Sequence, residues 1–311
     1  MKVLRDRRGQ CQFPSGVVAT IGNFDGVHLG HQSVLAQLKA HAERLGLPAV
    51  VIIFEPQPAE FFLQNEAPRR LTPLRDKLLA LSDEKIDAVL CLSFDASFAE
   101  LTAEEFIQNI LLDQLNVKHV VIGDDFRFGK GRQGDFALLS KRGAENNFTA
   151  SPVVTLSQNA KRVSSTGIRQ ALDESDFDQA KLLLGRAYQL NGRVIHGDKR
   201  GRTIGFPTAN IALKRPSILH GVYVVSCQVQ GKTVCGVANV GQRPTVGGTR
   251  WLLEVNLFDF QHEIYGEHIT VEFLARLRGE QRFESFAELK AQILNDVEKA
   301  KAFFQAEIRL D

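Results

Sequence analysis

The sequence predicts an α/β fold, in which a doubly wound parallel-sheet domain is followed by a small antiparallel β-barrel domain with a C-terminal helix. In the first half, short β-branched runs alternate with segments of helical periodicity, which is typical of a parallel sheet. In the second half, short alternating segments are separated by frequent glycines, which is typical of a small barrel. We expect the domains to span residues 1–185 and 186–311.

The first half contains five predicted strands and three predicted helices after a lead-in that is either an edge strand or irregular. Buried strands are expected at residues 17–21, 49–54, 88–92, 118–122 and 153–156. Helices are expected after Gly30, over 75–82, and from the capping box at Thr102 through Leu115. Parallel sheets bind ligands beyond the carboxyl ends of their strands. The candidate binding loops are therefore residues 22–31, 54–58 and 123–134.

The second half begins with a short helix predicted over residues 176–184, with Gly185 as its stop. Barrel strands are expected at residues 188–194, 221–228, 232–240, 251–258 and 269–277. A final amphipathic helix is predicted over residues 285–306, because its apolar residues share one face.

Composition excludes several classes of protein. The 311 residues include 38 basic and 36 acidic side chains, and the net charge of +2 gives no electrostatic footprint for binding nucleic acid. The charged N-terminus does not resemble a signal peptide, and no apolar run is long enough to cross a membrane. The four cysteines lack Cys-x-x-Cys spacing. We expect a cytoplasmic protein with reduced cysteines, and a weak homo-oligomer is left open.

A strand, a glycine-punctuated turn and the start of a helix follow one another at residues 17–35. The free N–H groups and the dipole at such a helix start suit a phosphate. Two histidines, three residues apart, can face one ligand if the helix has begun by the first of them. The candidate nucleotide-binding residues here are Gly22, Asn23, Phe24, Asp25, Gly26, His28 and His31.

The stretch Gly-Asn-Phe-Asp-Gly-Val-His-Leu-Gly-His at residues 22–31 resembles the His-x-Gly-His signature of the nucleotidyltransferase superfamily. In its longer form it resembles the bacterial family of bifunctional riboflavin kinases/FMN adenylyltransferases, also called FAD synthetases. The short signature alone leaves aminoacyl-tRNA synthetases and other adenylyl- and cytidylyltransferases open. The resemblance implies that His28 and His31 are catalytic, because imidazole N–H groups can donate to charge that develops in a transition state.

Two further segments resemble nucleotide-site motifs of this family. The glycine-rich basic loop at residues 123–135 includes Asp125 and Arg127, although a solvated surface loop is the alternative. A carboxylate such as Asp125 needs Mg²⁺ or an N–H donor beside it if it is to lie near phosphates. The run at residues 163–172 resembles the motif Ser-Ser-Thr-x-x-Arg, which implies triphosphate contacts from Ser164, Ser165, Thr166 and Arg169. Arg169 would neutralise the departing pyrophosphate, and a plain N-cap is the alternative for the serines.

An apolar wall for the flavin ring is expected after the second strand. Its candidate residues are Phe54, Pro56, Pro58, Phe62 and Phe128. Phe54 is equally compatible with the hydrophobic core. The FMN phosphate is already anionic at neutral pH, so adenylyl transfer to it requires positioning and charge stabilisation but no general base.

The strongest pattern in the second half is the segment at residues 192–210. Its glycine-bearing basic loop suits nucleotide phosphates, and the candidate residues are His196, Gly197, Lys199, Arg202, Thr203 and Gly205. Thr208 and Asn210 then place two oxygen ligands on one side of an extended chain, which suits Mg²⁺ held together with ATP phosphates, although turn chemistry is the alternative. The segment resembles the riboflavin kinase motif Gly-x-Pro-Thr-Ala-Asn.

A neutral ribityl alcohol must lose a proton when it is phosphorylated, so a base is expected near this second site. The resemblance implies that Glu254 is that base, although an outward-facing strand charge is the alternative. Asn256 shares its face, and Arg278 is the expected flavin-side residue of the segment 273–286.

The resemblance covers nearly the whole chain, and it implies two reactions at separate sites. Riboflavin and ATP give FMN, then FMN and ATP give FAD and pyrophosphate, both with Mg²⁺. One rival hypothesis is another nucleotidyltransferase with an accessory barrel. A second is an RNA-binding protein with a synthetase-like domain, and the near-neutral charge of the chain argues against it.

Overall fold

The computed structural model describes residues 1–6, 10–154, 156–158, 161–196, 208–245, 248–260 and 262–307 of the chain. The chain divides into two compact units, Met1–Ser165 and Thr166–Asp311. The boundary between them falls earlier than the predicted boundary after residue 185. No helix among the described residues has both the length and the apolar character that a membrane span requires.

The first unit is built on a six-stranded parallel sheet. Its strands are β1 (Lys2–Arg5), β2 (Val17–Ile21), β3 (Ala49–Glu55), β4 (Ala88–Ser93), β5 (Val117–Gly123) and β6 (Thr149–Val153). Its helices are α1 (Leu29–Leu45), α2 (Pro58–Leu63), α3 (Leu74–Asp83), α4 (Ala96–Ala99), α5 (Ala103–Phe106) and α6 (Phe136–Asn146). The short strands β7 (Ser157–Gln158) and β8 (Lys161–Arg162) form a separate hairpin.

The strand order β1-β4-β3-β2-β5-β6 confirms the doubly wound topology. The chain runs from β2 towards β3 and β4 on one side, and β5 and β6 lie on the other. The order therefore reverses between β2 and β5, where such sheets bind ligands. The loops that follow these two strands are the candidate segments 22–31 and 123–134, so both lie at the same edge of the sheet.

Strand β2 is buried along its whole length, and its side chains alternate between two hydrophobic cores. Val17, Ala19 and Ile21 pack in one core, and Val18 packs in the other together with residues of α1 and α3. Burial on both faces is typical of a central parallel strand and explains why four of its five residues are apolar. The strand is a rigid base for the turn that follows it.

Two predicted elements of the first unit differ in the structure, and its helices α2, α4 and α6 were not predicted. Strand β6 covers Thr149–Val153 and not residues 153–156, and Val154 is 80% exposed. The polar start of the strand and Pro152 conceal it in the sequence, and an edge strand tolerates proline because one of its sides forms no ladder. The helix predicted from Thr102 opens at its capping box but continues from Ile107 to Gln114 as a π-helix.

The second unit is a closed antiparallel barrel with helices before and after it. The helices are α7 (Ser165–Asp173), whose first residue ends the first unit, α8 (Phe177–Leu184) and α9 (Phe286–Glu307). The strands are β9 (Tyr188–Ile195), β10 (Ala209–Leu213), β11 (Gly221–Val229), β12 (Lys232–Thr245), β13 (Gly248–Leu257) and β14 (His268–Arg278). Their order around the barrel is β10-β13-β12-β11-β14-β9. The predicted barrel is confirmed, and β10 is the strand that the sequence analysis did not assign.

Candidate active sites

The turn after β2 carries unusual backbone angles. Phe24 and Val27 have φ of 47° and 42°, and Gly26 has φ of 92°. Positive φ strains side-chain-bearing residues, so the surrounding structure must hold them there. Phe24 and Val27 are 2% and 1% exposed, so their burial in the core provides part of that support.

The carboxylate of Asp25 provides further support for this turn. Its carboxylate is 2% exposed and accepts the N–H groups of Leu71 and Thr72 at 3.1 Å. The N–H of Gly26 in turn donates to Oγ1 of Thr72 at 3.1 Å. The predicted nucleotide-binding residue Asp25 therefore faces the protein and fixes the turn to the segment that precedes α3.

His28 is the N-cap of α1, so the helix begins at Leu29, slightly before the start expected after Gly30. Nδ1 of His28 accepts the backbone N–H of His31 at 3.3 Å. The two imidazole rings stack with centroids 3.7 Å apart, and the ring of Phe24 lies 4.9 Å from that of His31. The two histidines are therefore together at the helix start, as predicted.

His31 is held in its neutral form. Burial, then the neighbouring His28, then Lys77 lower the pKa of His31 well below its ordinary value of 6.5. Its Nδ1 is buried and has no hydrogen-bond partner among the described residues. A neutral imidazole can donate one hydrogen bond to a phosphate oxygen without adding a charge to the crowded pair.

The start of the predicted triphosphate motif lies against the same helix terminus. Oγ of Ser165 donates to the carbonyl oxygen of Asp25 at 2.8 Å. A Cβ added at Gly30 would lie 3.3 Å from the carbonyl oxygen of Val163, so the glycine permits this close approach. Ser164 is half-buried beside them. Thr166 and Arg169 follow on α7, within the second unit.

The loop after β5 is closed by paired backbone bonds between Phe128 and Gly134. The exposed carboxylate of Asp125 forms an ion pair with Arg162 of β8, so an N–H donor lies beside it. Arg127 is exposed, and its side chain bonds the carbonyl oxygen of Phe126. Gly22 and the exposed Asn23 lie at the end of β2, on the same edge of the sheet.

The predicted flavin wall is part of a longer aromatic cluster. Phe94 contacts Phe54 and Phe62, with ring centroids 5.8 and 5.7 Å away. Contacts through Phe98 and Phe106 then lead to Phe128. Phe54 is 8% exposed and belongs to the core, whereas Phe62 is 63% exposed. Pro56 lies just before α2 and Pro58 is its first residue, and both are half-buried. Phe94, Phe98 and Phe106 are members of the cluster that were not predicted.

A buried ion network lies beneath α2, and sequence reasoning missed it. The guanidinium of Arg70 pairs with Glu55 at 2.8 and 2.9 Å and with Glu60 at 2.5 Å. These hydrogen bonds and charges raise the pKa of Arg70 even though burial opposes them. Lys77 lies near this network and is fully buried. Each residue alone resembles an ordinary surface charge in the sequence.

In the second unit, Thr208 and Asn210 flank Ala209, whose side chain is buried. Alternation along β10 places Asn210 on the opposite side of the strand from Ala209, and Nδ2 of Asn210 donates to the carbonyl oxygen of Thr208 at 3.3 Å. Glu254 of β13 is the direct cross-strand partner of Asn210, so its side chain shares that face. The barrel register thus pairs two predicted kinase residues, Asn210 and Glu254, and Thr208 is hydrogen-bonded to the first of them.

The carboxylate of Glu254 has two neighbours. Arg243 forms an ion pair with it, and Nδ2 of Asn239 donates to it at 3.3 Å. Arg243 also lies 3.8 Å from Glu280. Asn256 follows Glu254 on the same face of β13, at the alternate position. Glu254 is thus held as a paired carboxylate and is only partly exposed.

The ring of His196 stacks on that of Tyr265 at 3.9 Å. A cavity of about 60 Å³ lies nearby, and its lining includes Thr208 and Tyr265. A larger cavity of about 570 Å³ lies between β12 and α9, but its lining includes neither Thr208 nor Glu254. The predicted loop residues Gly197, Lys199, Arg202, Thr203 and Gly205 lie outside the described residues.

The side chain of Arg278, on β14, pairs with a residue of the second unit itself. Its guanidinium forms hydrogen bonds of 2.8 to 3.1 Å with Asp296 of α9, which is 3% exposed. It also lies 5.8 Å from the ring centre of Phe283. The side chain therefore fastens the C-terminal helix to the barrel.

The two units match two different family models. The FAD synthetase family matches residues 10–167, and the riboflavin kinase family matches residues 184–304. The bifunctional riboflavin kinase/FMN adenylyltransferase of Escherichia coli (strain K12) is 49% identical, over 98% of each chain. The chain belongs to the bifunctional riboflavin kinase/FMN adenylyltransferase family.

A second family member and a solved structure are also similar to the chain. The bifunctional riboflavin kinase/FMN adenylyltransferase of Haemophilus influenzae is 48% identical, over 98% of this chain and all of that protein. A crystal structure of a protein named macrolide-efflux protein, from Streptococcus pneumoniae, superposes with a TM-score of 0.78 at 32% identity. It covers 95% of this chain and is itself 97% covered.

The donor set of the kinase unit fits a Mg²⁺ ion that is shared with a nucleotide. Thr208 and Asn210 offer hydroxyl and amide oxygens, which are hard ligands. Within the described parts of the chain, no group of three or more His, Cys, Asp or Glu side chains could hold a metal ion alone. Phosphate oxygens of ATP would join these two ligands, as is usual for Mg²⁺ in kinases.

Proposed function

We propose that residues 1–185 catalyse adenylyl transfer from ATP to FMN and that residues 186–311 catalyse phosphoryl transfer from ATP to riboflavin, both with Mg²⁺. Membership of the bifunctional family supports both activities. The observation that carries the first assignment is the stacked histidine pair at the N-terminus of α1. We place the enzyme in the cytoplasm, where its four free cysteines would stay reduced.

In adenylyl transfer, the free N–H groups of α1 and the imidazoles of His28 and His31 stabilise the charge that develops around the α-phosphate. The FMN phosphate attacks as an anion, so none of these groups has to remove a proton. Arg169 neutralises the departing pyrophosphate. The remaining ATP contacts come from Gly22, Asn23, Phe24, Asp25, Gly26, Asp125, Arg127, Ser164, Ser165 and Thr166. Within this set, Asp25 shapes the turn from its buried side, because its carboxylate is bonded to Leu71 and Thr72.

The flavin ring lies on the aromatic cluster after β3. The exposed Phe62 offers a ring face, and Phe54 supports it from the core through Phe94. Pro56, Pro58 and Phe128 complete the wall. Stacking on aromatic faces suits the flat isoalloxazine ring.

In phosphoryl transfer, Glu254 accepts the proton of the ribityl hydroxyl as that oxygen attacks the γ-phosphate of ATP, and ADP departs as the bond to the γ-phosphorus breaks. Thr208 and Asn210 hold Mg²⁺, which when bound shields the charge of the phosphates. The basic loop contributes His196, Gly197, Lys199, Arg202, Thr203 and Gly205 to ATP. Asn256 and Arg278 contribute to the flavin side, where Arg278 acts by holding α9.

The test is a single incubation of the full chain with riboflavin, ATP and Mg²⁺, followed by chromatography of the flavins. We expect FMN to appear first and FAD to follow, and FAD to form directly when FMN is supplied. Addition of bulk tRNA at low salt should leave both rates unchanged. A product other than FMN and FAD would contradict the proposal.

A further inference from the structure

Lys77 is fully buried, and its ammonium nitrogen has no hydrogen-bond partner among the described residues. A buried charge without hydrogen bonds is unfavourable, because the protein replaces none of the water contacts that the charge loses. Lysine is also among the residues that are least often fully buried. A core position on α3 would be filled more stably by leucine or methionine, so this lysine calls for an explanation.

The charges around Lys77 identify its counter-ion. Burial lowers the pKa of Lys77 to about 8, and Asp25 is the neighbour that opposes this most. Arg70 acts in the same direction as burial, and Glu55 and Glu60 oppose it more weakly than Asp25 does. Both glutamates are bonded directly to Arg70. Asp25 is therefore the carboxylate that the Lys77 charge chiefly balances.

We propose that Lys77 is a positioning residue for adenylyl transfer: its buried ammonium secures Asp25, and with it the strained turn that carries His28, and it keeps a positive charge behind His31. The proposal rests on the adenylyltransferase function proposed for the first unit. It gives the buried lysine a role that apolar side chains cannot fill.

The connection from Lys77 to the histidines runs through Asp25. The Asp25 carboxylate accepts the N–H groups of Leu71 and Thr72, directly before α3, and Lys77 lies in the first turn of that helix. Without the lysine, the Asp25 charge would be buried with less compensation, and the residues at positive φ would be held less firmly. A displaced turn would move His28 relative to the reacting phosphate.

The charge of Lys77 also acts on His31 directly, since it lowers the pKa of that imidazole together with burial and His28. Two limits on the pH dependence follow. Deprotonation of Lys77 above pH 8 should slow FAD formation, because the turn loses its charge balance. Removal of the charge should raise the pKa of His31, so that FAD formation fails at a higher pH on the acid side.

The experiment compares Lys77→Met with Lys141→Met, which changes an exposed lysine of α6 in the same way. FAD formation from FMN and FMN formation from riboflavin are measured in one preparation between about pH 5.5 and about pH 9.5. We expect Lys77→Met to lower kcat for FAD formation about 10- to 100-fold, to lose the alkaline limb and to shift the acid limb upward. FMN formation by Lys77→Met should match that of the parent. Lys141→Met should match the parent in both activities at every pH.

Calorimetry separates positioning from folding. Lys77→Met removes an unbonded buried charge but leaves Asp25 with less compensation, and because these two effects oppose each other the unfolding temperature should change little. Lys77→Arg keeps a charge that does not titrate in this range, so activity should be partly restored without an alkaline limb. FAD formation like that of the parent in Lys77→Met would overturn the inference. So would a loss that accompanies a lowered unfolding temperature with both pH limbs unmoved. A parent chain that makes no FAD would instead overturn the proposed function.

Discussion

His28 caps the helix that carries His31, and the ring nitrogen that forms the cap is Nδ1, which accepts the His31 N–H at 3.3 Å. An accepting Nδ1 carries no proton, so the neutral ring bears its proton on Nε2. Nε2 is therefore the atom of His28 that can donate to a phosphate oxygen. A single side chain thus has both a structural role at the helix start and a chemical role.

Substitution of His28 should separate these two roles. Asparagine is a good N-cap and alanine a poor one, so His28→Ala should be about 1 kcal/mol less stable than His28→Asn. Both variants should form FAD roughly 10²-fold more slowly, which is the usual effect of losing a transition-state donor. Denaturant unfolding and FAD formation from FMN measure the two effects, and His31→Ala should share the loss of rate. FAD formation restored by asparagine would mean that His28 acts only as a cap.

Another histidine, His119, should make the folding stability depend on pH. His119 is 3% exposed, and burial, His41 and Arg44 lower its pKa to about 4. The unfolded chain takes up this proton near pH 6.5 and the folded chain near pH 4, so stability is lost as the pH falls through that window. His119→Gln has no titrating group at this position and does not share this loss. The difference in unfolding free energy between parent and variant should therefore shrink by on the order of 1–3 kcal/mol as the pH falls from 6.5 to 4. A constant difference between parent and variant at every pH would contradict the assignment.

The two activities should be separable, but the fragment must include the helices before the barrel. Phe177 of α8 packs edge-on against Tyr223 of β11, with ring centroids 5.9 Å apart. Residues 166–311 should therefore fold and form FMN but no FAD. Residues 186–311 should form FMN with a lower unfolding temperature, because Tyr223 loses this cover. A folded 166–311 fragment that forms no FMN at saturating ATP and Mg²⁺ would show that the kinase assignment is wrong.

The sequence was informative where structure depends on local patterns. The buried strand 17–21, the glycine turn and the histidines have adjacent positions in the chain, and the barrel strands carry their own alternation. Strand β6 and strand β10 were harder, because a proline and polar residues conceal the first and the second adjoins a motif that resembles a loop.

Contacts between distant residues were beyond prediction. Asp25 binds Leu71 across a separation of 46 residues, and the partners of Arg70 come from a strand end and a separate helix. Lys77 lies three residues after Leu74 and four before Leu81, so it shares the apolar face of α3. Nothing in this spacing indicates that Asp25 lies near it. Sequence patterns indicate which face of a helix is apolar, but they do not indicate which charged residues will pair in the folded chain.

The metal proposal predicts a change in the Mg²⁺ requirement of one reaction only. Thr208→Val removes the hydroxyl at almost constant shape, so the kinase should need more Mg²⁺·ATP to reach half its maximal rate. Thr208→Ser retains the oxygen and is the matched control. Titration of Mg²⁺ at fixed ATP, followed as FMN formation, measures the effect. Equal Mg²⁺ dependence of Val and Ser variants would exclude Thr208 as a ligand.

Glu254 tests the chemical difference between the two reactions. Glu254→Gln keeps the size of the side chain and a hydrogen bond to Asn239, but it removes the anion that pairs with Arg243. FMN formation should fall roughly 10²–10⁴-fold, the usual range for a lost general base. FAD formation from supplied FMN needs no base and should be near normal.

The matched control is Glu272→Gln, which makes the same change at a half-buried carboxylate of β14. It should leave both rates within a few-fold of the parent. Riboflavin binding, followed by quenching of flavin fluorescence, should change little in Glu254→Gln, because the base acts on the hydroxyl during transfer and not on the flavin ring. A kinase turnover of Glu254→Gln close to that of Glu272→Gln would mean that Glu254 serves only to pair Arg243, and that the base is another residue.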